Sequence, residues 1–400
     1  MAEAREKTLR RGESPYIYGI HDREGADLLG GQGWVVISEA LGCAPDDWSS
    51  RSYTDLADQG LGVIVRLNHG YCPTGTIPTP QSYPHFAQRC GNFVEKSDGC
   101  HIWAIGNEPN LAVERPGGPE GDPILPTMYA QCFRLCRREI RSRAGHEDDQ
   151  VIVAAVGPWN VETGPWMAYF STVLWELNPD SEHGGQFDGI ALHVYSRGPD
   201  PAGIVDDARM EPPFERWHSG FQVYRDFMEA LPAWARHLPV YITECNQNRP
   251  WNDLNTGWVQ AAYAEIDRWN RRPGSQTIRC ACLYRWDEHD RWHIKGKSGV
   301  IADMRAAMKH GYRWHNSVPS PSPDPPQAFT EEEAARCREG LTAVPATIKA
   351  SVERGYHWLK ESFVAGDPYA FALAYDPQSS RYVALKLETR QWQVVAELDL

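Results

Sequence analysis

Long apolar runs are missing from this chain of 400 residues. No stretch of about 18 apolar residues occurs, so we expect no helix that spans a membrane and no membrane partner. The segment from Met1 to Arg11 is rich in charged residues and lacks the apolar core that a secretory signal needs. The sequence therefore predicts a cytoplasmic protein.

An excess of basic residues is also missing. The chain has 53 acidic residues against 40 basic ones, which gives a net charge of −13. Proteins that bind nucleic acid usually carry a basic stripe or patch, so we expect no nucleic-acid partner. The charge balance favours a neutral substrate.

Metal-binding and redox spacings are absent as well. The ten cysteines include the pairs Cys280/Cys282 and Cys132/Cys136, and neither pair has the spacing of a zinc or redox motif. The group His289, Asp290 and His293 does not fit a helix-borne metal motif. We therefore predict reduced core thiols and expect neither a metal nor another cofactor.

Eight short apolar runs, rich in Val, Ile and aromatic residues, alternate with amphipathic stretches. Most of the runs lack strict polar alternation, as is typical of parallel strands that are buried on both faces. Eight such strands with helices between them favour an α/β fold, a (β/α)8 TIM barrel, over residues 16–316. The runs are Tyr16–Ile20, Trp34–Ser38, Gly62–Asn68, His101–Asn107, Val151–Val156, Asp188–Tyr195, Pro239–Thr243 and Ile278–Trp286.

The remaining residues predict a short arm, a linker and a small C-terminal α+β extension. Residues 1–15 form the arm, and the Pro/Ser-rich segment 317–327 is a semi-rigid linker. In the module at 328–400, Thr330 and Glu333 have the spacing of a capping box that opens a helix. We expect helix to about Phe363, and then three antiparallel strands. These strands are predicted at Tyr369–Tyr375, Arg381–Leu387 and Gln391–Leu398.

Two glutamates come at or just past the ends of apolar runs. Glu108 follows the fourth run in Gly106-Asn107-Glu108-Pro109, and Glu244 follows the seventh in Ile242-Thr243-Glu244. Active sites of (β/α)8 barrels lie at the carboxyl ends of the strands. A retaining glycosidase needs one protonated and one ionised carboxyl group across a glycosidic bond. The predicted position of the two glutamates at the strand ends and the chemistry of a retaining glycosidase therefore agree.

Four motifs in the order of the strands carry a resemblance. Over roughly residues 16–312 the chain resembles the clan of retaining (β/α)8 glycoside hydrolases that includes the cellulase-like families, clan A. No motif points to one family within it. The motifs are Asn107-Glu108-Pro109, Leu192-His193-Val194-Tyr195, Ile242-Thr243-Glu244 and Tyr284-Arg285-Trp286.

The resemblance implies a role for each matching residue. Glu108 would be the acid/base and Glu244 the nucleophile. Asn107 would bind the sugar 2-hydroxyl, His193 and Tyr195 would contact the catalytic carboxylates, and Trp286 would form the floor of the first subsite. A looser match in the third run makes Arg66 and His69 candidate pocket residues, whereas ordinary core or packing roles stay open for the non-carboxylate residues.

The interpretation is a hydrolase that cleaves β-linked bonds of a neutral glycan or oligosaccharide with retention. A carbohydrate is then the expected partner. Two alternatives remain: a non-catalytic sugar-binding protein on a degenerate barrel, and a transglycosylase that uses the same residues. The presence of both Glu108 and Glu244 argues against the binding protein, while competition between an acceptor and water would reveal a transglycosylase.

Overall fold

The computed structural model of this protein describes Leu9, Ala346 and eight segments of the chain. The segments are 12–178, 186–272, 274–314, 330–342, 358–362, 369–376, 381–388 and 393–400. The predicted linker at 317–327 lies outside these residues. The chain divides into two compact units, one built mainly from residues up to 317 and the other mainly from those after it.

The first unit is a closed barrel of eight parallel strands in sequential order, which confirms the predicted fold. Each predicted run overlaps one of the strands. The strands are β1 (Tyr18–His21), β2 (Trp34–Ala40), β3 (Gly62–Asn68), β4 (Ile102–Ile105), β5 (Gln150–Val153), β6 (Gly189–Tyr195), β7 (Val240–Asn246) and β8 (Ile278–Leu283).

Helices occupy the connections between the strands. They are α1 (Ala26–Leu29), α2 (Thr54–Asp58), α3 (Tyr83–Glu95), α4 (Pro126–Arg141), α5 (Trp166–Glu176), α6 (Val223–Glu229), α7 (Trp258–Asn270) and α8 (Ser298–Met308). Helix α6 is shorter than the pattern over Trp217–Leu231 predicts. The reason is that His218 belongs to a loop: its backbone N–H and its Nδ1 each bond to Asp226, at 2.7 Å.

The core of the barrel unit is made of strand residues and large aromatic residues. All seven residues of β3 and all seven of β7 are buried. Trp34, Trp103, Trp166 and Trp258 are completely buried, so these tryptophans contribute apolar area to the core. All ten cysteines are free, and eight of them are buried, as predicted. The prediction of a core position is wrong for Cys43, which is half-buried, and for Cys72, which is exposed.

The second unit has a helix and a four-stranded antiparallel sheet, in which the strands lie side by side in the order of the sequence. Helix α9 (Glu331–Thr342) begins at the predicted capping box, in which Thr330 and Glu333 exchange hydrogen bonds of 2.9 and 3.2 Å. The sheet contains β9 (Trp358–Ser362), β10 (Tyr369–Asp376), β11 (Arg381–Glu388) and β12 (Gln393–Asp399).

The three predicted strands of this unit are confirmed, but the prediction of helix to about Phe363 is wrong at its end. Strand β9 pairs antiparallel with β10 through Phe371↔Ser362 and Leu373↔Lys360. The pairing of β9 with β10 therefore decides the conformation of Trp358–Ser362. The prediction of helix used only the local sequence pattern. Among the described residues, no helix combines the length and apolar character that crossing a bilayer requires.

Candidate active site

Glu108 lies just beyond β4 in a backbone conformation that residues other than glycine rarely adopt. Its φ is +35°. Its N–H donates to the carbonyl of Ala155 at 3.0 Å, and its own carbonyl accepts from the N–H of Leu111 at 2.9 Å. Such strain costs about 1–3 kcal/mol and persists only where the surroundings enforce it, most often at functional sites. The turn therefore holds the Glu108 carboxyl at the mouth of the barrel.

Asn110, two residues after Glu108, ties this turn to the loop after β5. It is completely buried, and it exchanges two hydrogen bonds with the backbone of Gly157, at 2.8 and 2.9 Å. A Cβ at position 157 would lie 2.0 Å from Leu111 Cδ1 and 3.3 Å from the Glu108 carboxyl carbon. A side chain at position 157 would therefore require Leu111 to move where the two loops meet beside Glu108.

Glu244 lies within β7, next to His193 of β6. A register shift between Leu192 and His193 pairs His193 directly with Glu244. Glu244 is 6% exposed, and its Oε1 accepts from Arg66 Nη1 at 2.8 Å while its Oε2 accepts from the Tyr195 hydroxyl at 3.0 Å.

The charge state of Glu244 follows from these contacts. Burial raises the pKa of its carboxyl group, but the neighbouring charge of Arg66 and the Arg66 hydrogen bond oppose burial, and the pKa lies below its usual range. Burial beside two carboxylates raises the pKa of Tyr195 well above its usual value. Glu244 is therefore ionised at neutral pH, and Tyr195 keeps the proton that it donates.

His193 is completely buried and contacts both carboxyl groups. Its Nε2 lies 3.2 Å from Arg66 Nη2. Because a guanidinium group has only donors, this nitrogen must accept, and the proton of the neutral ring is on Nδ1. Nδ1 lies 2.7 Å from Glu108 Oε1, so it donates to Glu108. Nε2 lies 3.6 Å from Glu244 Oε1. The imidazole ring of His193 thus lies between two carboxyl groups in different surroundings. Glu244 is paired with Arg66, whereas Glu108 faces the neutral N–H of the ring.

Both glutamates open into one cavity of about 670 Å³ at the carboxyl ends of the strands. Its lining combines aromatic rings with side-chain amides, which suits a ligand that has both C–H faces and hydroxyl groups. The aromatic and amide residues are Asn68, Tyr71, Asn107, Trp159, Asn160, Tyr195, Asn246, Asn248, Tyr284 and Trp292.

A partly buried ion pair closes one wall of the cavity. Arg285, after β8, donates to the two carboxylate oxygens of Asp22 at 2.8 and 2.7 Å, and His21 Nδ1 lies 2.8 Å from the same carboxylate. Burial raises the pKa of Asp22, but the bonds to Arg285 and His21 outweigh it and hold the pKa well below its usual range. The pair links the loop after β8 to the end of β1 and neutralises the Arg285 charge.

The structure brings most of the predicted site residues together and leaves two apart. Five of them line the cavity: Arg66, Asn107, Glu108, Tyr195 and Glu244. His193 contacts the carboxyl groups of both glutamates.

His69 and Trp286 do not line this cavity. His69 packs against Phe86, with ring centroids 6.0 Å apart. Trp286 lines a neighbouring cavity of about 760 Å³, together with Glu39 and Arg51. Tyr284, two residues before Trp286, lies in the site instead.

Sequence reasoning missed several residues of the cavity. Glu114, Trp159, Tyr284 and Trp292 all line it. Glu114 belongs to the Pro- and Gly-rich loop after β4, and a loop of this length is the signal that could have found it, because long loops are often functional. Tyr284 is the first residue of the motif Tyr284-Arg285-Trp286, in which Trp286 is the residue predicted to form the floor of the first subsite.

One cluster outside the cavity has the composition of a metal site. His101, His146 and Asp149 lie together where β4 and β5 begin, the opposite end of these strands from Glu108. Asp149 Oδ1 lies 2.6 Å from His101 Nδ1, and Oδ2 lies 2.7 Å from both His146 Nδ1 and Trp103 Nε1. These hydrogen bonds satisfy the Asp149 carboxylate. The cluster therefore has a structural explanation, because it connects the beginnings of β4 and β5.

Comparison with known proteins does not assign a family. No protein-family model matches the sequence, and no curated protein matches it. Among solved structures, a xyloglucanase of glycoside hydrolase family 44 from Paenibacillus polymyxa has 11% identity and a TM-score of 0.47, with 73% of this chain and 76% of that chain covered.

Two other solved structures show a similar degree of likeness. A GH5-4 broad-specificity endoglucanase from Clostridium longisporum has 12% identity and a TM-score of 0.46, with 73% and 85% covered. A 4-O-α-L-rhamnosyl-β-D-glucuronidase from Fusarium oxysporum has 11% identity and a TM-score of 0.44, with 94% and 78% covered. Each likeness is too distant to assign an activity, so the function proposed below rests on the geometry of the site.

Proposed function

We propose that this protein is a glycoside hydrolase that cleaves β-glycosidic bonds of a neutral glycan or oligosaccharide by double displacement, with retention of configuration. The observation that carries the proposal is the contact of two carboxyl groups, the buried Glu244 and the partly buried Glu108, with opposite sides of His193. One carboxylate is paired with Arg66 and the other faces a neutral N–H donor. Retaining hydrolysis needs such a difference between two carboxyl groups.

Glu244 acts as the nucleophile. Its bonds to Arg66 and Tyr195 keep it ionised, so it can attack the anomeric carbon. Glu108 contacts a neutral imidazole through Oε1, which leaves its other oxygen to carry a proton. That proton goes to the glycosidic oxygen as the bond to the leaving group breaks.

The second step reverses these roles. The ionised Glu108 takes a proton from water, and the resulting hydroxide attacks the anomeric carbon of the glycosyl ester on Glu244. The ester bond breaks, Glu244 regains its carboxylate, and Glu108 regains its proton. Tyr195 donates to Glu244 Oε2, so it stabilises the carboxylate as it forms again.

The lining supports a neutral sugar as the substrate. Amides such as Asn68 and Asn246 suit hydroxyl groups, and rings such as Trp159 suit the apolar face of a sugar. The charges of Arg66 and Arg285 are already neutralised by Glu244 and by Asp22.

The test is hydrolysis of a panel of aryl β-glycosides by the wild type and by Glu108→Gln, Glu244→Gln and Glu120→Gln. Glu120 is an exposed carboxylate on the loop after β4 and serves as the control. We expect Glu244→Gln to lose at least about a thousandfold in kcat, and Glu108→Gln to lose about a hundredfold or more on substrates with poor leaving groups. Glu120→Gln should keep wild-type activity.

Proton NMR of the first product should show the β-anomer before mutarotation. First formation of the α-anomer would contradict double displacement. Binding of oligosaccharides without hydrolysis of any glycoside in the panel would favour a sugar-binding protein instead.

A further inference from the structure

Besides Glu108 and Glu244, the carboxylates of Glu114 and Asp290 line the cavity. The chemistry proposed above does not use Glu114. It ends a short turn, Ala112–Glu114, in the loop after β4. Its Oε1 accepts a hydrogen bond from Asn107 Nδ2 at 3.0 Å. Its backbone carbonyl accepts from the N–H of Thr76 at 2.9 Å, and the Thr76 hydroxyl accepts from the N–H of Asn107 at 2.6 Å. The loop therefore holds Asn107 by its backbone and by its side chain.

The amide of Asn107 has a defined orientation because of this carboxylate. With Nδ2 toward Glu114, its Oδ1 is buried and has no partner among the described residues. Leaving a buried acceptor unpaired is unfavourable, so something must stabilise this orientation. The opposite orientation would place Oδ1 against the Glu114 carboxylate, where two acceptors repel each other. Glu114 thus keeps the nitrogen of the amide on its own side of Asn107, with a second N–H left for a ligand.

The charge of Glu114 depends on its surroundings in the cavity. Burial raises its pKa to about 7, and the charges of Glu108 and Glu244 raise it too, whereas the Asn107 bond and the Arg66 charge lower it. A protonated carboxyl group can donate, so below that pH the flipped amide becomes acceptable. Protonation as the pH falls therefore removes the preference for the orientation that offers the N–H to a ligand.

We propose that Glu114 is a positioning residue: it fixes the Asn107 amide so that its free N–H donates to one oxygen of the bound sugar next to Glu108. Glu114 acts through Asn107 and does not touch the reacting atoms. This inference rests on the proposed function and adds a specificity to it, because one hydroxyl group of the substrate is read by a side chain that Glu114 orients.

Kinetics on a panel of monodeoxy aryl β-glycosides test the specificity. At pH 8, Glu114→Leu should lower kcat/KM by about tenfold to a hundredfold on the parent glycoside, which corresponds to the loss of one hydrogen bond to a buried group. On the one deoxy substrate that lacks the hydroxyl read by Asn107, the loss should fall to less than about threefold. The control variant, Glu120→Gln, should behave as the wild type on every substrate.

Two further variants separate positioning from a general structural role. Glu114→Gln keeps an acceptor for the Asn107 amide, so it should stay within a few-fold of the wild type while its kcat/KM profile loses the ionisation near pH 7. Asn107→Ala should remove the effect of Glu114→Leu, so the double variant should be no worse than Asn107→Ala alone. An equal loss on every deoxy substrate, or additive losses in the double variant, would overturn the proposal.

A measurement that needs no turnover keeps this inference separate from the proposed function. In protein labelled with ¹⁵N at asparagine, the side-chain NH₂ signals of Asn107 can be assigned by their loss in Asn107→Asp. They should shift with a midpoint near pH 7 in the wild type and not in Glu114→Gln. Active enzyme with no such shift would refute the positioning role alone. A shift in protein that hydrolyses no glycoside would support the Glu114–Asn107 pairing and refute the proposed function.

Discussion

Replacement of Arg66 by Met should expose how strongly the site depends on one buried cation. Arg66 is 5% exposed, and its Nη1 lies 2.8 Å from Glu244 Oε1. Methionine keeps an unbranched apolar side chain and removes the guanidinium group. Glu244 then stays buried with the Tyr195 hydroxyl as its remaining donor among the contacts described above. Removal of one partner of a buried ion pair costs about 3–5 kcal/mol, a large part of a total stability of about 5–15 kcal/mol.

The loss should depend on pH with a defined sign. In the wild type the pKa of Glu244 is lowered, so its contribution to stability is present above the unfolded pKa and is lost as the pH falls through the folded pKa. In Arg66→Met, burial dominates and raises the pKa of Glu244. His193 Nε2, 3.6 Å from Glu244 Oε1, no longer faces a cation and can take up a proton. Both changes relieve the unpaired charge in acid, so the deficit should be largest near pH 8 and smaller near pH 5.

Urea unfolding at pH 5 and pH 8 measures this for the wild type, Arg66→Met, Glu244→Gln and the double variant. The double variant should recover most of the loss in stability at pH 8, because it lacks both charges and therefore has no unpaired one. The control is Arg51→Met: Arg51 is 3.0 Å from Glu39, but its side chain is 66% exposed, so its loss should stay below about 1 kcal/mol. A loss below about 1 kcal/mol for Arg66→Met, equal at both pH values, would refute the reasoning.

Other substitutions test the surroundings of the two carboxyl groups. Tyr195→Phe removes one donor to Glu244, so the acid limb of the kcat/KM profile should move up by about one pH unit; an unmoved limb would argue against this contact. Gly157→Ala introduces a Cβ 2.0 Å from Leu111 Cδ1 and should cost about 1–3 kcal/mol in thermal unfolding together with a fall in kcat; unchanged stability and activity would contradict the close approach. Trp159→Ala removes a ring from the lining and should raise KM roughly tenfold, whereas an unchanged KM would show that the ring does not contact substrate.

The barrel was predictable because its strands are buried on both faces. In runs such as Gly62–Asn68 every residue is buried, and eight such runs with helices between them have few other ways to pack. Because the carboxyl ends of parallel strands meet at one end of a barrel, the sequence also brought Arg66, His193 and Glu244 together. Their hydrogen bonds follow from that convergence and from the register shift before His193.

The rest of the site depends on contacts between distant parts of the chain. Arg285 is fixed by Asp22, 263 residues earlier, and no local pattern showed that Tyr284 rather than Trp286 would face the cavity. Glu114 acquires its environment from the path of a long loop over Asn107. Strand β9 likewise exists because β10 pairs with it. Such features are set by tertiary contacts, which a reading of local sequence does not contain.

Covalent trapping tests the central claim most directly. An activated 2-deoxy-2-fluoro β-glycoside of a sugar that the enzyme accepts should form a glycosyl ester that is hydrolysed slowly, because the fluorine destabilises the oxocarbenium-like transition state of both steps. Mass spectrometry of the digested protein should place one adduct on the peptide that contains Glu244, and Glu244→Gln should show none. An adduct on Glu108, or rapid turnover of ordinary glycosides with inversion and no adduct, would contradict the account.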